Sequence, residues 1–152
     1  MGVIAPALVF LFALALRLIF IHQMKDTPFF TEFGVDPAFY RGLALEILGG
    51  NLFPEEVLWQ HPFYPYFLAA VYKLFGQDPY ILRVVQALIG SAGCVLVYAL
   101  GTKAFGRAAG TVAGFFAASY GFFIFSEFTL EADFLSVLFG MAALLTEVSA
   151  RR

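Results

Sequence analysis

Five carboxylates stand beside long apolar runs of this chain: Glu32, Asp36, Glu127, Glu131 and Asp133. A charge at such a boundary is costly unless it has a partner or a task. Asp36 and Tyr40 are four residues apart and share one face of a helix, with Arg41 beside them, an arrangement in which the carboxylate could act as a base. The plainer reading is that Asp36 caps that helix, and the two roles are compatible. Glu127 and Glu131 are one turn apart if their stretch is helical, while Asp133 points elsewhere. Acids at a helix amino end interact well with its dipole, which accounts for one or two of these three. Arg17 and Arg83, near the ends of two apolar runs, carry planar donor forks that suit a phosphate. Snorkelling to lipid headgroups is the alternative for both. His22 and His61 are far apart and no second histidine stands at metal-ligand spacing, so a histidine-based metal site is not expected.

The elements that must position these residues are membrane helices. Of the residues, 61% are hydrophobic and 13% charged, and the mean hydropathy is +0.84, far from ordinary soluble domains. A formal net charge of -2 excludes a phosphate-neutralising surface and with it nucleic acid as a partner. The expected fold is an all-α integral membrane protein with about four transmembrane helices, over 3–21, 80–101, 108–125 and 132–148. Segment 3–21 reads as a retained anchor, because no Lys or Arg precedes it and no small-residue cleavage site follows it. Residues 22–79 read as an external loop with interfacial helices. One is capped by Asp36, with Pro37 at its first position, runs over 38–48 and is stopped by Gly49-Gly50; the other covers 62–75 and ends at Gly76. Lys103 and Arg107 in a tight turn, with Arg151 and Arg152, place those ends and the amino terminus in the cytoplasm, and the carboxylates on the opposite side. Cys94 is the single cysteine and reads as a packing residue. Gly110 and Gly114, continued by Ala118, form a small-residue stripe that signals close helix packing. Gly-rich phosphate loops and nucleophile-elbow motifs are absent.

Several pieces of the chain stand in a telling order: Asp36-Pro-Ala-Phe-Tyr40, then Gln60-His-Pro-Phe-Tyr-Pro-Tyr-Phe-Leu68 with Leu74-Phe-Gly76, then Arg83-Val-Val-Gln86-Ala-Leu-Ile-Gly90, then Tyr98-Ala-Leu-Gly101 through Phe105-Gly-Arg107-Ala-Ala-Gly110. Between about Leu16 and Ala143 the chain resembles the amino-terminal part of GT-C glycosyltransferases related to the dolichyl-phosphate-mannose-protein mannosyltransferases. The resemblance implies an inverting hexosyltransferase that moves a sugar from a polyprenyl-phosphate donor to an acceptor on the non-cytoplasmic side of the cell membrane. It implies Asp36 as the catalytic acid of the first external loop, with Glu127 and Asp133 as the acids closing the second; Glu131 fits no family position. It further implies that His61 approaches the carrier phosphate, and Tyr40, Tyr64, Arg17 and Arg83 complete the candidate substrate and phosphate ligands. Arg17, Arg83 or a divalent metal ion would neutralise the leaving phosphate. Such enzymes have more spans than four, so the expectation is part of a larger enzyme, with membrane lipids and the remaining helices of a longer chain as partners. The rival expectation is a non-enzymatic four-helix scaffold or assembly partner in which the acids are caps and interfacial residues.

Overall fold

Apolar runs of this length become helices because a chain in hydrocarbon must satisfy its backbone amides and carbonyls within its own segment. The computed structural model describes residues 4–31, 34–55 and 60–151, so Glu32 lies outside the described residues. In chain order the helices are α1 (Ile4–Met24), α2 (Pro28–Thr31), α3 (Val35–Leu48), α4 (Phe63–Phe75), α5 (Pro79–Phe105), α6 (Arg107–Ser119), α7 (Gly121–Phe128) and α8 (Asp133–Ala150). No strand occurs among the described residues. Helices α1, α5 and α8 are each long and apolar enough to cross a bilayer, and the bent pair of α6 with α7 counts as a fourth where it is taken as one span.

That break departs from the straight helix expected over 108–125. The two pieces meet at Tyr120 with a bend of 47°. Local bonds repair the interrupted ladder: Tyr120 N–H donates to the Ala117 carbonyl at 3.3 Å, Phe123 N–H to the Tyr120 carbonyl at 3.0 Å, and Ser119 Oγ to the Phe115 carbonyl at 2.8 Å. Such substitutions are what permit a broken helix at membrane depth.

The start of α3 also differs from expectation. Gly34, not Asp36, is the capping residue, and no side chain caps the helix. Asp36 stands inside the first turn, where its charge still favours the dipole. Proline is tolerated throughout a first turn because its missing N–H is not needed there, so an Asp-Pro pair does not fix where the helix begins. The carboxyl end follows expectation: Gly50, at φ +102°, lets Asn51 N–H reach the Glu46 carbonyl at 3.1 Å.

Helix α5 is the central post, with α1, α6 and α8 packed around it and α4 against its first turns. Asp78 accepts from Tyr80 N–H at 2.7 Å and Pro79 opens the helix. It continues to Phe105, so Lys103 belongs to its last turn and not to the connection, which is Gly106 alone. The small-residue stripe does bring helices together: a Cβ on Gly110 would meet the Tyr98 carbonyl of α5 at 2.6 Å, and one on Gly114 would meet Val9 of α1 at 3.2 Å. At membrane depth Val9, Ala13, Cys94, Tyr98, Ala117 and Ala118 form one cluster. A second, under the loop segments, joins Tyr40, Ala44, Tyr64, Leu68, Tyr72, Leu82, Leu130 and Phe134. It is this second cluster that fixes α3 and α4 over the ends of α5 and α8.

Candidate functional site

Side chains from three segments converge where α3, the lead into α4 and the start of α8 meet. Tyr40, a turn along α3 from Asp36, donates its hydroxyl to Gln60 Oε1 at 2.7 Å and lies 3.1 Å from His61 Nδ1. The other ring nitrogen of His61, Nε2, is 3.3 Å from Asp133 Oδ1 on the first residue of α8. Tyr64 packs edge-on against Tyr40 with ring centroids 5.0 Å apart, and its hydroxyl reaches Gln86 Oε1 at 3.4 Å. His61 and Asp133 are open at this surface, with 46% and 73% of their side chains exposed, so the contact is available to a ligand.

Negative charge gathers around this chain of contacts. Partial burial holds the Glu131 carboxyl above its ordinary value, the charges of Asp36 and Asp133 push it further, and His61 opposes them. Burial likewise raises the Tyr40 phenol, with Asp36, Glu131 and Asp133 adding to the shift. Asp36, Glu131 and Asp133 therefore sense one another although they come from different parts of the chain. Even so, among the described residues no group of three His, Cys, Asp or Glu side chains is arranged to hold a metal ion.

The two arginines take other partners. Arg17 faces Glu127 in a two-pronged pair, Nε to Oε2 at 2.6 Å and Nη2 to Oε1 at 2.8 Å, and its Nη1 donates to the Ala13 carbonyl at 3.3 Å. Both residues are buried. Gly90 makes room for this pair, since a Cβ there would run into the Glu127 carboxyl. The pair borders a cavity of about 70 Å³ between α5, α7 and α8, at whose rim Asp133 stands. Arg83 donates to the carbonyls of Phe128, Pro79 and Phe29 at 3.1, 3.1 and 3.3 Å, and its guanidinium lies over the rings of Phe30 and Phe128 at 4.3 and 4.5 Å. It ties the loop segments to α5 and to the end of α7.

Of the residues singled out from sequence, Tyr40, His61, Tyr64 and Asp133 are thus brought into contact, with Asp36 and Glu131 close enough to feel their charges. Arg17, Glu127 and Arg83 are not among them. Gln60 and Gln86 are partners that sequence reasoning passed over, although both stand inside the quoted motifs; their signal was there, but the tyrosines they bond are 20 and 22 residues away. Beside the His61 contact lies a cleft of about 150 Å³ between α4 and α8, lined by Phe63, Tyr64, Leu135, Ser136 and Phe139.

Comparison with known proteins returns no match among curated proteins and none among solved structures. The family described as dolichyl-phosphate-mannose-protein mannosyltransferase matches residues 60–151, a stretch that holds His61, Tyr64, Arg83, Glu127 and Asp133. That stretch is more than half of the chain, so the chain belongs to the dolichyl-phosphate-mannose-protein mannosyltransferase family.

Proposed function

We propose that this chain forms part of a site in which a hexose passes from a polyprenyl-phosphate carrier to an acceptor hydroxyl on the non-cytoplasmic side of the membrane. Family membership supports the donor class and glycosyl transfer. The observation that carries the reading is the His61–Asp133 contact, at 3.3 Å, which joins the loop segment to the start of a membrane span with Asp36 and Glu131 around it. A lipid-linked phosphate would have its headgroup at that level and its chain beside the spans.

In this reading Asp36 is the base. As the acceptor oxygen attacks the anomeric carbon, its proton passes to the Asp36 carboxylate, the bond from that carbon to the phosphate oxygen breaks, and the configuration inverts. The phosphate leaves as an anion and needs no general acid. His61 is the group that meets it, its Nε2 exchanging the exposed Asp133 contact for a phosphate oxygen, because the guanidinium groups of Arg17 and Arg83 are already engaged by Glu127 and by backbone carbonyls. Asp133, Tyr40 and Gln60 orient the ring of His61 from its two nitrogens.

The test is binding of a polyprenyl-phosphate hexose to the chain in lipid nanodiscs. Saturable binding is expected, and His61→Ala is expected to weaken it about tenfold, corresponding to ~1.4 kcal/mol for one charge-assisted hydrogen bond. Asp36→Asn is expected to leave donor binding in place and abolish transfer once an acceptor is supplied. Absence of saturable binding, or His61→Ala binding as tightly as wild type, would remove the donor-site assignment and favour a scaffold.

A further inference from the structure

Leu130 is the one non-glycine among the described residues with a left-handed backbone, at φ +64°. A side chain resists that conformation because Cβ crowds the following carbonyl. The residue closes α7: Leu130 N–H reaches the Glu127 carbonyl at 3.4 Å and Glu131 N–H the Ser126 carbonyl at 3.1 Å, a helix ending in which glycine normally holds the left-handed place. Here a leucine holds it, 2% exposed, packed with Tyr64, Leu68 and Phe134.

The turn is held on its near side by two buried arginines. Arg17 grips Glu127 through both carboxylate oxygens, and Arg83 donates to the Phe128 carbonyl. On its far side the reversal hands the chain to Glu131 and then to Asp133, which meets His61. Strain of this kind persists only where its surroundings overdetermine it, and it concentrates where geometry matters to function.

We propose that Leu130 is a positioning residue whose left-handed backbone, set by the Arg17 and Arg83 clamps, places Asp133 against His61. The proposal rests on the reading that His61 and Asp133 share one site. Simple apolar packing at Leu130 makes the opposite ranking of substitutions. If only the buried side chain matters, valine substitutes better than alanine, and alanine at least as well as glycine. If the backbone conformation matters, glycine is best, because it alone adopts φ near +64° without steric cost, and β-branched valine is worst.

The experiment follows the imidazole NMR signals of the full chain in lipid nanodiscs, where His22 and His61 are the 2 histidines. Asp133→Asn marks where the His61 signal falls when the contact is lost. Leu130→Gly and Leu130→Ala, neither of which pays more than leucine for this backbone, are expected to keep the wild-type His61 signal, and β-branched Leu130→Val to move it to the Asp133→Asn position, with helical content by circular dichroism unchanged. Loss of the wild-type signal in Leu130→Gly, or valine preserving it better than glycine, would overturn the proposal. Should the valine variant not fold, the glycine variant decides alone, since it removes the whole packed side chain and leaves the backbone free to hold φ near +64°. An Asp133→Asn signal identical to wild type would overturn the contact and the proposal together. The expected pattern without donor binding would refute the functional reading while leaving the role of Leu130 standing.

Discussion

Glu131 carries an unfavourable charge at the loop-bearing end. Its ionised form loses solvation to partial burial and is repelled by Asp36 and Asp133, with His61 the opposing influence. The folded chain therefore binds this proton more tightly than the unfolded chain does. Below the ordinary carboxylate range the group is protonated in both states and exerts no penalty; as pH rises through the raised value, ionisation weighs progressively against the fold. Glu131→Gln is accordingly expected to raise the thermal midpoint near pH 7, and the difference from wild type is expected to vanish by about pH 4, below the ordinary glutamate value. Thermal unfolding in detergent across that range checks it, and a variant less stable than wild type at neutral pH would show that Glu131 makes a favourable contact instead. At this scale the sequence was half legible. Asp36 and Tyr40 were readable as neighbours because helical spacing is local, and Tyr40 indeed stands at the site. The environment of Glu131 was not readable, because its neighbours Asp36 and His61 lie far away along the chain and only tertiary packing brings them near.

Helices impose a different kind of demand, that of holding polar groups at membrane depth. The Arg17–Glu127 pair links α1 to α7 through two short bonds and is seated on Gly90 of α5. Removing one member leaves the other charge buried without compensation, which typically costs ~3–5 kcal/mol, whereas replacing both by apolar residues of similar volume is often neutral or stabilising. Arg17→Leu is thus expected to destabilise strongly, and adding Glu127→Leu to recover most of the loss, as unfolding in mixed micelles would reveal. A double variant as unstable as the single one would mean that the site requires charge and not merely volume. The bent pair of α6 and α7 shows why such elements were only partly foreseen. No charge interrupts the run through Ser119, Tyr120 and Gly121, so composition indicated one span, and the small polar dip at these three residues was the local mark of a bend that the straight-helix reading passed over. The bend re-aims α7 so that Glu127 turns inward to Arg17, a partner 110 residues away. The length and apolar character of α1, α5 and α8 were plain from sequence because they depend on composition alone.

Among the described residues the end formed by the α5–α6 connection and the close of α8 carries Lys103, Arg107 and Arg151, with Glu147 its one acid. Lys103 closes α5, Arg107 opens α6 and Arg151 follows α8; Lys103 Nζ donates to Ser149 Oγ at 2.6 Å, which brings the basic termini of α5 and α8 to one level. At the other end lie Asp36, His61, Glu131 and Asp133, beside α3 and α4. Excess Lys and Arg in short connections marks the cytoplasmic side, so the site is expected to face away from the cytoplasm. That orientation also suits the chemistry, since Asp36 and His61 would stand at the level of a lipid phosphate while the clefts beside α8 open among the spans. The arrangement can be tested with single cysteines at exposed positions, after Cys94→Ala removes the buried native thiol. Asn51→Cys, just past α3, is expected to react with a membrane-impermeant maleimide added outside intact cells, and Phe105→Cys, at the end of α5, to react only after the membrane is opened. The reverse pattern would place Asp36 and Asp133 in the cytoplasm and require the donor phosphate to be met there, whereas labelling of both positions from one side would show that α5 does not cross the membrane between them.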